Sequence, residues 1–329
     1  MELHYPSYYK TFSCIASDCP DSCCHEWDVQ VDAQSAARYR AMEGALGDAL
    51  RKDLYDEDGQ VYLRNRDGRC PMWRADGLCR IQAELGHDAL CTVCQQFPRL
   101  RHDYGDFVEF GLELSCPEAA RIILSEKTEW ICEETGGGEV PEYDAEIMEI
   151  LRKSRPYALE LLENEAHSVQ ERLRLLLMYG YHIQAQIDGA EDVPFALDAA
   201  LEEAEQFAGT GDADALAEYY RGLDLLTERW REKLESLTEP VWDAGLCRIA
   251  QYAICRHWYQ AVSDWDLCCR VKTLLSGCAL IARLPGKLVE NAQLWSKEIE
   301  NSAENLDTLL DGAYTEPALT DANLLGLLR

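Results

Sequence analysis

Nine cysteines run in a fixed order between positions 14 and 116: Cys14, Cys19, Cys23 and Cys24, then Cys70, Cys79, Cys91, Cys94 and Cys116. Thiolates are favoured ligands of Zn²⁺ and of iron–sulfur clusters, because both centres are soft or borderline and accept four sulfurs. Cys91 and Cys94 stand at C-x2-C spacing, so one centre can hold both sulfurs. Gly68 precedes Cys70 and Gly77 precedes Cys79, and turn glycines let a backbone curl around a centre. A segment this rich in turns has a thin core, and a bound metal would supply folding free energy that packing does not. The competing reading makes each cysteine a small buried hydrophobe. A redox dithiol at Cys91/Cys94 would need a thioredoxin-like βαβ setting, which the sequence lacks.

The spacing favours a [4Fe-4S] cluster over zinc. Zinc sites usually show two short knuckles, whereas here there is one, with the other ligands spread over about 100 residues. His25 and His87 stand near the cysteines and could complete a zinc site; the alternative for each is a surface or supporting histidine. The ferredoxin run C-x2-C-x2-C is absent, and Glu26 stands where a C-x3-C-x2-C motif from Cys19 would need its third cysteine. Nine thiols could serve one four-sulfur centre with spares, or two. Of the 15 cysteines, Cys247, Cys255, Cys268, Cys269 and Cys278 lie on apolar helical patterns and are expected in the core. Disulfides are rare in a reducing cytosol, so a Cys-rich chain with no export signal reads first as a metal protein.

The formal net charge is −29 over 329 residues. That argues strongly against a nucleic-acid partner, whose phosphates need a basic surface, and disfavours an anionic membrane. It permits a basic or lysine-bearing protein partner. No stretch of about 18 apolar residues occurs, and Met1 to Pro6 does not read as a signal peptide. A cytoplasmic location is the expectation.

The elements that must position these thiols divide into two kinds. The expected fold is mainly α: an irregular Cys-rich metal-binding N-terminal domain over 1–135, a linker over 136–142, and an acidic α-helical bundle or array over 143–329. In the first part, Asp32 caps a helix to about Met42, stopped by Gly44. Gln60 to Arg64 and Phe107 to Leu114 have β character and are expected to pair as a small hairpin. Ser115 can cap a helix over Ala119 to about Glu126, with Glu118 three residues on. Gly136-Gly137-Gly138 and Pro141 mark the linker. Beyond Asp144, Leu159, Leu162, Ala166, Val169, Leu173, Leu176 and Leu177 form one face of a long helix. Similar patterns follow at 196–208, 213–236, 243–262, 265–283 and 287–311.

Several motifs in order make the first third recognisable. Tyr5-Pro6-Ser7-Tyr8-Tyr9 leads to Phe12 and Cys14, then to Cys19, Cys23, Cys24 and Trp27. Gly68-Arg69-Cys70-Pro71, Asp76-Gly77-Leu78-Cys79, Leu90-Cys91, Cys94, Phe97-Pro98-Arg99 and Cys116-Pro117-Glu118 with Arg121 follow. Over roughly 3–125 the chain resembles the bacterial flagellin lysine N-methylase family, with a shorter core similar to iron- or zinc-chelating cysteine-cluster domains. The resemblance implies an S-adenosylmethionine-dependent protein-lysine N-methyltransferase acting on flagellin and carrying a [4Fe-4S] cluster.

Such an enzyme must deliver a neutral amine to a sulfonium methyl, although lysine's reference pKa is about 10.4. Tyr104, Asp106, Glu109 and Glu113 are catalytic candidates by position, set against purely structural roles. Trp27 could cover a cluster or stack on a cation, and core packing is its alternative. Arg99 and Arg121 could bind the carboxylate of the methyl donor, with local ion pairs as the alternative. No Gly-rich loop between a strand and a helix marks a Rossmann-type donor site. The reading from a different class is a non-enzymatic zinc or iron–sulfur module for protein interaction.

Overall fold

The computed structural model describes residues 1–125, 128–138 and 140–329. Glu126, at the expected end of one helix, and Glu139, inside the expected linker, lie outside the described residues, as does Lys127.

The N-terminal third holds two small sheets. β1 (Glu2–Pro6) begins the chain, and β2 (Val29–Val31) is followed by α1 (Ala33–Ala41), α2 (Gly44–Asp53), β3 (Leu54–Glu57) and β4 (Gln60–Leu63). Then come α3 (Arg80–Leu85), α4 (Thr92–Gln96), β5 (Arg99–Asp103), β6 (Phe107–Leu112), α5 (Pro117–Ser125) and β7 (Trp130–Glu134). One sheet has the order β5-β6-β1-β7 and the other β2-β4-β3. The first is antiparallel except where β1 runs parallel to β6. The expected hairpin between Gln60–Arg64 and Phe107–Leu114 is therefore wrong. β4 pairs with β2 and β3, and β6 with β5 and β1, so the two segments sit in different sheets. Alternation of residue types identified strands but carried no information about partners.

Asp32 does cap α1, accepting from Ser35 N at 2.9 Å. Gly44 does not end that helix. Met42 ends it, and Gly44, at φ +81°, opens α2. Ser115 Oγ donates to Glu113 Oε2 at 3.0 Å, and the backbone of Cys116 accepts the first helical bond of α5, from Ala120 N at 2.8 Å.

From residue 145 onward the described residues form helices: α6 (Ala145–Glu163), α7 (Val169–Ile187), α8 (Leu197–Phe207), α9 (Ala213–Arg221), α10 (Glu228–Leu234), α11 (Gly245–His257), α12 (Cys268–Ile281), α13 (Leu288–Ile299), α14 (Ala303–Thr315) and α15 (Asp321–Leu327). The expected long helix through 159–177 is two helices. Asn164 Oδ1 accepts from Ala166 N at 3.2 Å, and Ser168 and Glu171 close a capping box that starts α7. The apolar spacing keeps its phase across this turn, so periodicity could not see the break. Thr227 and Ser302 likewise cap fresh helices inside the patterns at 213–236 and 287–311.

Two hydrophobic cores result. The smaller has twelve buried residues, among them Val29, Val31, Tyr39, Leu50, Leu63, Met72, Ile81, Cys70 and Cys91. The larger is built by the helices and includes Tyr8, Phe12, Phe107, Leu112, Leu114 and Cys116, so the four-stranded sheet and α5 belong to it. Cys247, Cys268, Cys269 and Cys278 are buried among the helices, as expected, and Cys255 is partly buried.

Candidate metal centre

The loops around the cysteines are shaped by short backbone bonds. Cys70 N donates to Cys24 O at 2.7 Å, Glu26 N to Gly68 O at 3.1 Å, and Arg80 N to Met72 O at 2.7 Å. The turn that delivers Cys70 uses Asp67 and Gly68, both at positive φ. The first two of these bonds bring residues about 45 apart in sequence to one place, with Cys24 at the join.

All nine predicted metal cysteines fall into one neighbourhood, in two adjoining groups. Cys23 and Cys70 lie within hydrogen-bonding reach of the Cys24 sulfur, and Cys91 and Cys94 within reach of each other. Cys79 senses the charges of Cys24 and Cys91, and Cys94 those of Cys23 and Cys24. On the other side, Cys116 senses Cys19 and Cys14, and Cys23 senses Cys14 and Cys116. Cys19 Sγ donates to Asp21 O at 3.0 Å.

The electrostatics follow from crowding. The Cys23 thiol, beside it, holds Cys24 down at about 3, helped by the Cys70 thiol and the hydroxyl of Ser22. Cys23 and Cys70 are correspondingly pushed up, each by its contact with Cys24 and then by burial. Contact with Cys94 brings Cys91 to about 7, while Cys94 is pushed up. Burial pushes Cys116 to about 11, against the backbone N–H groups of Glu118 and Ala119 that favour its thiolate. A cavity full of thiols releases its first protons readily and resists the rest, unless a cation takes their place.

Two observations bear on what such a centre would be. His25 Nε2 and Trp73 Nε1 are buried without a hydrogen-bond partner. Their rings meet edge to face at 4.6 Å, Trp73 N donates to Cys70 O at 3.0 Å, and His25 lies within charge range of Cys24. Buried orphan nitrogens beside thiolates fit a group that offers sulfur or metal to them. Second, among the described residues no three of the nine sulfurs lie within 4.8 Å of one another. Four thiolates on one Zn²⁺, at bonds of about 2.3 Å, would stand about 3.8 Å apart. His87 is exposed, with its Nδ1 3.9 Å from the Asp88 carboxylate.

Around this shell, α13 closes the site. Lys297 is 1% exposed and lies 3.2 Å from Asp21, 2.7 Å from Glu26 and 4.8 Å from the centre of the Trp27 ring. Gln293 Nε2 donates to Asp21 Oδ2 at 2.9 Å and to Ser115 O at 2.8 Å. Glu26 is held at φ +76°, a region sparsely allowed for a side-chain-bearing residue. Trp27 thus stacks under a cation, and that cation is a lysine of this chain. Lys297 and Gln293 escaped the sequence reading, since nothing in a helical apolar pattern marks a lysine whose partners lie about 270 residues away.

The remaining candidates are placed as follows. Tyr104 stacks on Phe107 at 4.6 Å and meets Tyr259 edge-on, and burial pushes its phenol up. Asp106 accepts from Tyr143 at 2.8 Å and faces Arg152 at 3.5 Å. Glu109 is buried and held by Arg155 through two bonds of 2.9 and 2.6 Å. Glu113 is pushed up by burial, against the opposing charge of Arg256. Arg99 donates to Phe12 O at 3.1 Å, two residues before Cys14. Arg121 donates two hydrogen bonds to Glu118, at 2.8 and 2.7 Å, and the Glu118 charge helps raise Cys19, whose thiol is pushed up chiefly by burial.

The chain is similar to several curated proteins. It is 34% identical over 128 residues to the flagellar biosynthetic protein FliU of Salmonella muenchen, covering 37% of this chain and 76% of that one. Two proteins called lysine-N-methylase, from Salmonella typhimurium and Salmonella choleraesuis, are also 34% identical over 128 residues. Here the match covers 37% of this chain and 32% of theirs, so it spans about a third of their length. No family profile and no solved structure matches the chain.

Proposed function

The chain belongs to the family of the flagellar biosynthetic protein FliU, and from that premise we propose that it is a protein-lysine N-methyltransferase that uses S-adenosylmethionine, acts on flagellin and carries a [4Fe-4S] cluster. The names of the lysine-N-methylase relatives support the reaction. The convergence of nine cysteines, with the orphaned nitrogens of His25 and Trp73 near Cys24 and Cys70, carries the cofactor part of the reading. Cys24, Cys70, Cys91 and Cys94, with Cys79 beside them, are the residues that would hold the cluster. Bound by only three of these thiolates, it would supply one open Lewis-acid iron able to take the amino and carboxylate groups of the methyl donor.

The chain's own residues have the other tasks. The acceptor lysine arrives as an ammonium and must lose a proton before its nitrogen takes the methyl and S-adenosylhomocysteine leaves. Glu113 is a suitable acceptor of that proton, because burial raises its carboxyl and makes it a stronger base than an exposed glutamate. A net charge of −29 draws lysine-bearing surfaces toward the protein. Among the described residues no helix is long and apolar enough to cross a membrane.

The second reading is a non-enzymatic zinc module, favoured by the free Nε2 of His25 beside Cys24, which would complete a Cys/His set. One experiment separates the two. The anaerobically purified protein is incubated with flagellin and S-adenosylmethionine carrying a labelled methyl group. Labelled N-methyl-lysine in flagellin, lost in Cys24→Ser, is expected. Unlabelled flagellin with a zinc-loaded protein would establish the module instead.

A further inference from the structure

Outside the nine-cysteine shell, β1 and β7 bring three unlike ligand groups to one point. Residues two apart on a strand share a face, so Glu2 and His4 stand on the same side of β1. Cys132 is the residue directly opposite His4 in the antiparallel ladder with β7. His4 Nε2 lies 2.9 Å from Glu2 Oε2 and 3.6 Å from Cys132 Sγ. The three ligand atoms are all within 4.8 Å of one another, and no other such group occurs among the described residues.

The distances match a tetrahedral ion. Metal–sulfur and metal–nitrogen bonds of about 2.3 and 2.0 Å, at a tetrahedral angle, separate S from N by about 3.5 Å. The Nε2 to Sγ distance is 3.6 Å before any metal is added. The Glu2 carboxylate must move outward by about 0.5 Å from its hydrogen bond to reach the N-to-O separation the same geometry asks. Its exposed side chain is free to swing that far. Nε2 also faces two groups at once with at most one proton to give, and a metal ion in the gap would satisfy both neighbours. His4 is braced by the Phe107 ring, whose centre is 5.7 Å away. Imidazole, thiolate and carboxylate together are a borderline donor set that suits Zn²⁺ rather than Mg²⁺ or Ca²⁺, which take oxygen ligands.

We propose that Glu2, His4 and Cys132 form a second metal site, for Zn²⁺ or a like divalent ion, separate from the nine-cysteine centre. It clips edge strand β7 to β1. Three protein ligands leave a fourth position, and the exposed rim at Glu2 and Cys132 opens it to water or an external ligand.

The test is a Co²⁺ titration of the full chain, tagged at its C-terminus and purified anaerobically so that the nine-cysteine centre stays filled. One equivalent of Co²⁺ is expected, with thiolate-to-cobalt absorption in the near ultraviolet. That equivalent should vanish in Cys132→Ser and in His4→Gln. A second readout needs no substitution: Co²⁺ should slow alkylation of Cys132 at least tenfold. Unchanged stoichiometry and spectrum in Cys132→Ser and His4→Gln would overturn the proposal. So would an alkylation rate indifferent to Co²⁺.

Discussion

The two cores of this protein are held by different means. The helical core buries Trp230, Trp258, Trp295, Leu275 and dozens of other apolar side chains, and its helices carry side-chain caps at Asp144, Ser168, Thr227 and Ser302. The core beneath the cysteines has twelve buried residues, two of them cysteines. Apolar burial at about 25 cal/mol per Å² suffices for the first. For the second, a few backbone bonds and a crowd of thiols define a shape that a metal centre would complete. Packing accounts for the first region, and on the proposed reading ligation would account for the second.

The comparison is most exposed to removal of the ligands. Cys24→Ser, or treatment with a strong chelator, should abolish amide protection over residues 14–96 in hydrogen exchange while helices α6 to α15 keep theirs. Simultaneous loss across both regions would mean that packing, not ligation, holds the N-terminal third.

Next come two buried ion pairs on opposite sides of the division. Glu109→Gln leaves Arg155, 8% exposed, without its carboxylate inside the helical core. Breaking such a pair costs about 3–5 kcal/mol, to be read as a shift in the denaturant midpoint with iron retention unchanged. Lys297→Met strips the cation shared by Asp21 and Glu26. Partial exposure of Glu26 puts that cost near the bottom of the range, about 3 kcal/mol. Here the metal should also be lost faster, because α13 no longer clamps the Cys19–Cys24 loop. Equal metal retention in both variants would remove the clamp from the account.

The smallest expected effect is a pH slope. Burial, with the charges of Arg256 and His257, lowers His102 to about 4. Between that value and the unfolded value near about 6.5, the unfolded chain binds a proton that the folded chain refuses. Stability due to this residue is therefore lost as pH falls through that window, by about 1 kcal/mol per pH unit. His102→Phe should flatten the slope when urea midpoints at pH 7 and pH 5 are compared.

How far the sequence could be read differed between the same two regions. The thiols and their order were legible, and the nine do converge. The helical character was legible from apolar spacing, although the breaks at Asn164, Gly222 and Asn301 were hidden because packing phase survives a short turn. Strand partners were not legible: β4 and β6 share residue character and belong to different sheets. Contacts over long sequence distance escaped altogether, including Lys297 on Asp21 and Cys132 opposite His4. Each needs two segments to meet, and only the fold states that they do.

The central claim is that the N-terminal third is organised by an iron–sulfur centre on its cysteines. Anaerobic purification followed by visible absorption and by iron, acid-labile sulfide and zinc analysis tests it most directly. A broad band near ~400 nm with iron and sulfide in equal amounts is expected, both lost in Cys24→Ser. A colourless protein whose N-terminal third is protected by zinc alone would contradict it.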